Sequence, residues 1–297
     1  MKILILGATG MLGHKAMLVL SNRHDVIGSV RDNPVIYHNH PVLKDLELIG
    51  HVDANDFSSV ETAIQRIRPE VVFNCIGIVK QLKEAYDPVP SIKINALFPH
   101  LLAQLCVQKR IRLIHMSTDC VFSGAKGMYT EDDFPDAGDL YGRTKYLGEV
   151  DYPGCLTIRT SIIGRELDSF HGLLEWFFSQ QGKQVKGFKK AIFSGLTTNA
   201  LSEIIGTIIE QHPDLRGIWH VASSPINKYD LLIQIRDRFR LHIEIEPDES
   251  IVIDRSLDPS KFITRTGITI PPWSTMIEQL YLDKTPYNLG RKIHAHQ

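Results

Sequence analysis

Apolar residues follow two rhythms along this chain. In the first half, short unbroken apolar runs alternate with longer amphipathic stretches. KILIL (2–6) reads as a buried strand, MLGHKAMLVLSN (11–22) as a helix and DVIGSV (25–30) as a strand. HVDAND (51–56) is expected to hold a short strand, followed by the helix FSSVETAIQRIR (57–68) with Ser58 or Ser59 near its start. EVVFNCIG (70–77) reads as a strand, SIKINALFPHLLAQLCVQK (91–109) as mainly helix, and IRLIHMS (111–117) as a strand. YGRTKYLGEV (141–150) reads as a helix and CLTIRTS (155–161) as a strand. Strands that alternate with helices imply right-handed βαβ units and a parallel sheet covered on both faces. The expected class is therefore α/β with a doubly wound parallel sheet.

After residue 160 the alternation weakens. SFHGLLEWFFSQQ (169–181), TTNALSEIIGTIIEQH (197–212) and NKYDLLIQIRDRFRL (227–241) look helical, and GIWHVAS (217–223) looks like a late strand. The second half reads as a smaller C-terminal α+β part, with a segment near 195–225 returning to the sheet. The aromatic run Trp176, Phe177 and Phe178 either lines a cleft or packs in the core.

Composition narrows the function classes. With 43% hydrophobic and 23% charged residues over 297 positions, the chain is an ordinary globular one with ample length for a core. A formal net charge of -1 creates no global field to recruit a nucleic acid polymer or an anionic membrane. No apolar run approaches the ~18 residues of a membrane span, and the opening MKILILGATG is too short an apolar stretch to be expected as a signal peptide. Cys75, Cys106, Cys120 and Cys155 never form a CxxC pair, so free thiols in a reducing cytoplasm are expected. No metal-ligand spacing is present, and the terminal HAHQ reads as a frayed end.

GATGMLG (7–13) follows the first strand and opens the first helix. Gly7, Gly10 and Gly13 let the backbone turn tightly and approach a pyrophosphate, whose charge suits a helix N-terminus. That context points to a dinucleotide. The second strand ends in GSVRD, where Arg31 stands in place of the acid that would hold a ribose 2′-hydroxyl. Arg31 either grips a 2′-phosphate, favouring NADPH over NADH, or forms a solvated pair with Asp32. Asp53 either caps the adenine end or closes its own turn.

LYGRTKYLGE (140–149) places Tyr141 and Lys145 one helical turn apart. A ketone accepting hydride needs a proton on its oxygen, and an ammonium beside a phenol is expected to lower the phenol's pKa. Among nine tyrosines, Tyr141 alone has Lys four residues later. HMSTDCVF (115–122) closes the fifth expected strand, where Ser117 and Thr118 either bond the same carbonyl oxygen or satisfy backbone groups. The three signals lie in order on the expected elements.

Together GATGMLG, STDCVF and YGRTKYLGE resemble the extended short-chain dehydrogenase/reductases, and within them the dTDP-4-dehydrorhamnose reductase group of sugar-nucleotide reductases. LTIRTSIIG (156–164), GLTTNALSEII (195–205) and DRSLDPSKF (254–262) followed by IPPW (270–273) agree, so the resemblance covers nearly the whole chain. It implies a Rossmann-like dinucleotide domain over 1–160 and a mainly substrate-binding part over 161–297. It implies Tyr141 as proton donor, Lys145 as its partner and a nicotinamide-ribose ligand, and Thr118 as the completing hydroxyl with Ser117 beside it. Gly7, Gly10, Met11, Leu12 and Gly13 would form the pyrophosphate turn, and Asn74 and Gly77 would line the cofactor cleft. Arg159 to Ser161 would lie near the nicotinamide, and Asn95 would be chiefly structural.

The chain departs from that group in three places. Cys120 stands where the group usually has Tyr, and is read as packing. GIVKQ (77–81) is longer and more polar than expected, so Lys80 and Gln81 either reach the substrate or lie in a solvated loop. The rhamnose enzymes use acids to bind magnesium between subunits. Lys15 at the matching position argues against a metal-bridged dimer, while leaving a homodimer open.

The implied activity is NADPH-dependent reduction of the 4-keto group of a nucleotide-activated deoxysugar, serving cell-surface polysaccharide biosynthesis. A 4,6-dehydratase of this superfamily would carry an acid after Thr118-Asp119, where this chain has Cys120. A sugar-nucleotide epimerase on the same fold is the first alternative, distinguished by dinucleotide retained through purification. A non-catalytic regulatory subunit, resembling the β subunit of methionine adenosyltransferase, is the second. The sequence does not name the sugar, its nucleotide or the product configuration.

Overall fold

The computed structural model describes residues 1–168 and 170–287. In chain order its first half contains β1 (Lys2–Leu6), α1 (Met11–Leu20), β2 (Asp25–Ser29), β3 (Glu47–Ile49), α2 (Phe57–Ile67), β4 (Val71–Asn74), α3 (Pro88–Ser91), α4 (Phe98–Lys109), β5 (Arg112–Met116), α5 (Leu140–Leu147) and β6 (Cys155–Arg159). The second half contains β7 (Ile162–Ile163), α6 (Leu173–Phe178), β8 (Gln184–Phe188), β9 (Ala191–Phe193), β10 (Leu196–Thr197), α7 (Thr198–Gln211), β11 (Gly217–His220), β12 (Ile226–Asn227), α8 (Lys228–Phe239), β13 (Glu244–Asp248), β14 (Ile253–Asp254), α9 (Ser260–Thr266) and α10 (Trp273–Leu282).

Seven strands form one sheet in the order β11-β6-β5-β4-β1-β2-β3, and every neighbouring pair is parallel. This is the α/β, Rossmann-like doubly wound sheet. Strand alternation explains why KILIL is apolar at nearly every position. Ile3 and Ile5 enter one core with Leu12, Met17 and Ile205, while Leu4 and Leu6 enter the opposite core with Ile64, Phe98 and Leu102. Helices α1 and α7 thus cover one face, and α2 and α4 the other. Burying each such side chain contributes roughly 1.5–3 kcal/mol. β11 arrives from the second half and joins the sheet beside β6, pairing Trp219 with Ile158. The remaining strands form small separate sheets: β8 with β13, β7 with β10, and β9 between β12 and β14.

Two local expectations change. The third strand is Glu47–Ile49, paired through Ile27↔Glu47, Gly28↔Leu48 and Ser29↔Ile49, and not within 51–56. The later stretch is a turn, in which the Asp53 carboxylate accepts from the Asn55 N–H at 2.9 Å. Ser58 and Ser59 stand near the start of α2 as expected; its cap is Asp56, which accepts from the Ser58 N–H at 3.2 Å, and the Ser59 hydroxyl donates to the Asp56 carbonyl at 2.7 Å. The third expected helix begins earlier, at Pro88 as α3, and passes through a π-helical stretch, Ile92–Leu97, into α4. Proline suits a first helical position, and Asp87 caps it.

The π-helical stretch turns Asn95 toward the loop after β4. Its Oδ1 accepts from the Ile78 N–H at 2.8 Å and its Nδ2 donates to the Ile78 carbonyl at 3.0 Å. In the aromatic run, Phe177 is buried, Phe178 packs on Phe239 and Trp176 is exposed at 37%. HAHQ lies outside the described residues.

Candidate active site

β1, β4, β5 and β6 run parallel, so their carboxyl ends share one edge of the sheet. The loops after them therefore bring together Gly7, Gly77, Thr118 and the stretch after Arg159, although these lie far apart in sequence. The chain crosses from one half of the sheet to the other between β1 and β4, which opens a crevice at that edge.

The glycine turn forms the first wall. Gly7 has φ +84°, a left-handed backbone conformation that glycine tolerates, and its carbonyl accepts from the Gly10 N–H at 3.1 Å. A Cβ on Gly13 would lie 2.0 Å from the Gly7 oxygen, so helix and turn can approach only if residue 13 has no side chain. Gly10 caps α1 with no side-chain hydrogen bond and no acid in the first turn, which leaves the helix N-terminus to an anion. Met11 is half-buried and Leu12 buried at that end. His14 stabilises the turn from behind. Burial lowers its pKa to about 4, so it is neutral. Nδ1–H donates to the Gly10 carbonyl at 2.8 Å, and Nε2 accepts from the Tyr287 hydroxyl at 3.0 Å.

Past the end of β2, Arg31 and Asp32 are both exposed, and Tyr37 lies near both. Asp53 spends its carboxylate on its own turn, bonding the Asn55 N–H and side-chain amide. Asn74 is fully buried: its Oδ1 accepts from the Ile76 N–H at 3.1 Å, and its Nδ2 lies 3.0 Å from His115 Nδ1. Its side chain shapes the turn after β4 from inside. At Gly77 a Cβ would stand 3.8 Å from Lys145 Nζ, so Gly77 and Lys145 face one another. An uncapped helix, a glycine turn and an exposed guanidinium suit a phosphorylated dinucleotide.

Helix α5 supplies the reacting wall. Asp139 caps it, accepting from the Gly142 N–H at 2.8 Å, and this fixes the first turn on which Tyr141 sits. Tyr141 is partly exposed, with its phenol beside Thr118. The Thr118 hydroxyl donates to Asp119 Oδ1 at 3.0 Å and accepts from the Cys120 N–H at 3.1 Å. Burial first, then the neighbouring Cys120, push the Tyr141 pKa above its ordinary value, and Asp119 and Asp139 add to the effect. The expected lowering by Lys145 is not found, because that ammonium is engaged elsewhere. Lys145 Nζ donates to the Met116 carbonyl at 2.7 Å, and burial brings its pKa down to about 8. Tyr141 is thus a neutral acid holding its proton.

The other sequence candidates are committed to protein partners. Ser117 donates to Glu149 Oε1 at 2.6 Å. Lys80 pairs with Asp139 at 2.6 Å, which ties the loop after β4 to the cap of α5, and Gln81 is exposed. Cys120 is partly exposed, and burial first, then Asp119, push its thiol up to about 12, so it is not a nucleophile. Lys15 binds Asp283 at 2.6 Å inside the chain. Among the described residues, no cluster of three His, Cys, Asp or Glu could hold a metal ion, and all four cysteines are free thiols.

The sequence matches the RmlD substrate binding domain family over residues 1–283. The chain belongs to that family. It is 29% identical over 260 residues, 81% of this chain and 77% of the relative, to a probable dTDP-4,6-dihydroxy-2-methyloxan-3-one 4-ketoreductase of Streptomyces antibioticus. It is 23% identical over 320 residues, 97% of this chain and 85% of the relative, to the methionine adenosyltransferase 2 subunit beta of Xenopus laevis. Among solved structures, the dTDP-4-dehydrorhamnose reductase of Bacillus anthracis str. Ames, in complex with NADP, has the same fold. The TM-score is 0.79 at 19% identity, covering 95% of this chain and 99% of that one.

Behind the reacting wall lies a buried polar network that sequence reading did not find. Arg159 Nε and Nη2 donate to the two oxygens of Glu149 at 2.8 and 2.7 Å, a bidentate pair in which both side chains are at most 3% exposed. Arg159 Nη1 meets His220 Nε2 at 3.2 Å. Burial first, then Arg159, hold His220 neutral at about 3, so Nε2 accepts and Nδ1–H donates to the Tyr129 carbonyl at 3.0 Å. Phe122 stacks on Tyr129 and lies under the Arg159 guanidinium. One sequence signal was available: Glu149 stands four residues after Lys145, the spacing of an ion pair on a helical face.

Proposed function

We propose that this RmlD-family chain reduces the 4-keto group of a nucleotide-activated deoxysugar with NADPH, in the cytoplasm, for cell-surface polysaccharide biosynthesis. NADH is the alternative cofactor. The observation that carries the reading is Tyr141, a neutral, partly exposed acid beside Thr118, at the sheet edge where the glycine turn also opens. The named activity of the Streptomyces antibioticus relative and the NADP of the Bacillus anthracis structure support it. We assign dinucleotide binding mainly to 1–160 together with β11, and sugar binding mainly to the remainder of 161–297.

The Gly7–Gly13 turn and the α1 N-terminus would hold the pyrophosphate, Arg31 the 2′-phosphate, and Gly77 and Lys145 the nicotinamide side. Bound there, NADPH supplies the hydride. Tyr141 supplies the proton: its O–H passes to the substrate oxygen as the carbonyl becomes an alcohol, leaving a phenolate. Thr118 orients that oxygen by its hydroxyl, and Lys145 keeps its positive charge in the crevice on the Gly77 side. Lys80 and Gln81, on the loop beside Asp139, and Ser117, just past β5, are proposed to meet the substrate.

The test is oxidation of NADPH by purified protein across a panel of 4-keto sugar nucleotides. Turnover with any member supports the reductase. NADPH binding without turnover across the panel favours the role suggested by the subunit-beta relative, and tightly retained dinucleotide favours an epimerase. The exposed Tyr86, Val89 and Ile92 also offer a face that a second copy would cover. Light scattering at the mass of one chain counts against a homodimer.

A further inference from the structure

The Glu149–Arg159 pair has no task in the reaction as described, yet it is buried beside the reacting wall. Removing two charges from water is costly, and such a pair is weak evidence for stability alone. Its position relative to Lys145 gives it another role. Glu149 follows Lys145 by four residues, just past the end of α5. Its carboxylate is fixed from two sides: Ser117, at the end of β5, donates to Oε1, and Arg159, at the end of β6, donates to both oxygens. Those same strand ends frame the crevice.

We propose that Glu149, bonded to Ser117 beside the Met116 carbonyl that holds Lys145, is a positioning residue which sustains the charge of Lys145 in the cofactor crevice, and that Ser117, Arg159 and His220 exist in this network to hold Glu149 still. The proposal rests on the reading of Lys145 as the cation of the site.

Other groups facing Lys145 do not supply this charge. Cys75, at the end of β4, is a thiol that burial holds protonated. His115, on β5, is fully buried and neutral, and Lys145 itself adds to that effect. Tyr141, one turn back, keeps its proton. Asn95 and the Met116 carbonyl are uncharged. Against Lys145's burial, Glu149 is the largest opposing influence, with Cys75 second. His220 reaches Glu149 only through Arg159, and its Nδ1–H anchors the far end to the Tyr129 carbonyl. The network thus runs from Glu149 across two strand ends to the loop that carries Tyr129.

The experiment reads Lys145 directly. Full-length protein is labelled at lysine Cε with carbon-13, the Lys145 resonance is assigned by its loss in Lys145→Met, and its titration is followed by NMR. NADPH affinity is measured over the same pH range. Glu149→Gln should move the Lys145 titration down by about one pH unit or more, the scale of losing a nearby opposite charge. The alkaline loss of NADPH affinity should move with it.

Glu149→Gln leaves Arg159 buried and unpaired, so Glu149→Gln combined with Arg159→Met is measured alongside, the added methionine replacing the guanidinium with an apolar chain. The double variant should fold and still shift downward, by less than Glu149→Gln alone because the Arg159 cation leaves with the carboxylate. Glu149→Asp, which keeps the charge, should restore most of the wild-type titration, a rescue that a packing role would not give. A Lys145 titration unmoved in the folded double variant overturns the proposal. If instead the titration moves but NADPH affinity ignores it in every protein, including wild type, the cofactor reading of Lys145 fails while Glu149's hold on Lys145 stands.

Discussion

Lys145 Nζ donates to the Met116 carbonyl at 2.7 Å, although Tyr141 stands one turn before it on the same helix. The i, i+4 spacing aligns the two side chains, but the ammonium is drawn to the last carbonyl of β5. There it faces Gly77 across the crevice, 3.8 Å from where a Cβ would stand. In the proposed reaction Lys145 therefore belongs to the cofactor wall first.

Tyr141→Phe keeps the ring and its packing but removes the transferable proton. Turnover with the best 4-keto sugar nucleotide should fall by ~10²–10⁴, the usual worth of a positioned general acid. NADPH binding should persist, since the glycine turn is untouched. Steady-state kinetics paired with a binding titration checks both, and wild-type turnover would remove Tyr141 from the chemistry.

Lys145 gives a pH dependence of definite sign. Burial lowers its pKa to about 8, so the ammonium is present below that pH and is lost as pH rises through it. NADPH affinity and turnover should both decline on the alkaline side of about 8, well below the ordinary lysine value. In Lys145→Met this limb should disappear together with much of the activity. A profile that stays flat to the ordinary lysine range contradicts the assignment.

Arg31 is exposed at the end of β2, where a 2′-phosphate would arrive. Arg31→Ala should weaken NADPH selectively by ~1.5–3 kcal/mol, the value of a hydrogen bond to a charged group. NADH should be little affected. Equal losses for the two cofactors, measured by calorimetry, would assign Arg31 to the solvated surface.

Gly13→Ala tests the pyrophosphate turn without touching the reacting wall. The new methyl would sit 2.0 Å from the Gly7 oxygen, so helix and turn must separate. Such overpacking costs ~1–3 kcal/mol. Dinucleotide affinity should drop sharply while the Tyr141 wall stays formed, as judged by near-ultraviolet circular dichroism. Unchanged affinity would show that the turn does not approach the phosphates.

Lys15 and Asp283 form a buried pair at 2.6 Å between α1 and the chain after α10. Burial opposes the Asp283 charge, but the Lys15 and Thr285 bonds outweigh it and bring its pKa to about 2. The stabilisation is thus complete above the ordinary carboxylate pKa and is lost as pH falls through about 2. Asp283→Asn should destabilise the fold by ~3–5 kcal/mol at neutral pH, because it leaves the lysine buried and unpaired. Urea denaturation measures it, and a change near zero would show Lys15 finding water instead.

The sequence alone determined whatever depends on local geometry. KILIL had to be a strand buried on both faces, because its period-two neighbours are all apolar. GATGMLG had to be a turn into a helix, because glycine supplies the backbone freedom and the close approach. Tyr141 and Lys145 had to share a helical face, because four residues make about one turn. Tertiary structure decided the partners. The third strand lies at Glu47–Ile49 because pairing with β2 selected it over 51–56. Ser117 turned to Glu149, and Lys80 to Asp139, once strand ends and loops met at one edge. Arg159 reaches His220 across 61 residues, and Lys15 reaches Asp283 across 268. A hydrogen bond or ion pair is satisfied by whichever group the fold brings within about 3 Å. No spacing along the chain records that choice, so the Met116 carbonyl became the partner of Lys145 only when the end of β5 packed against α5.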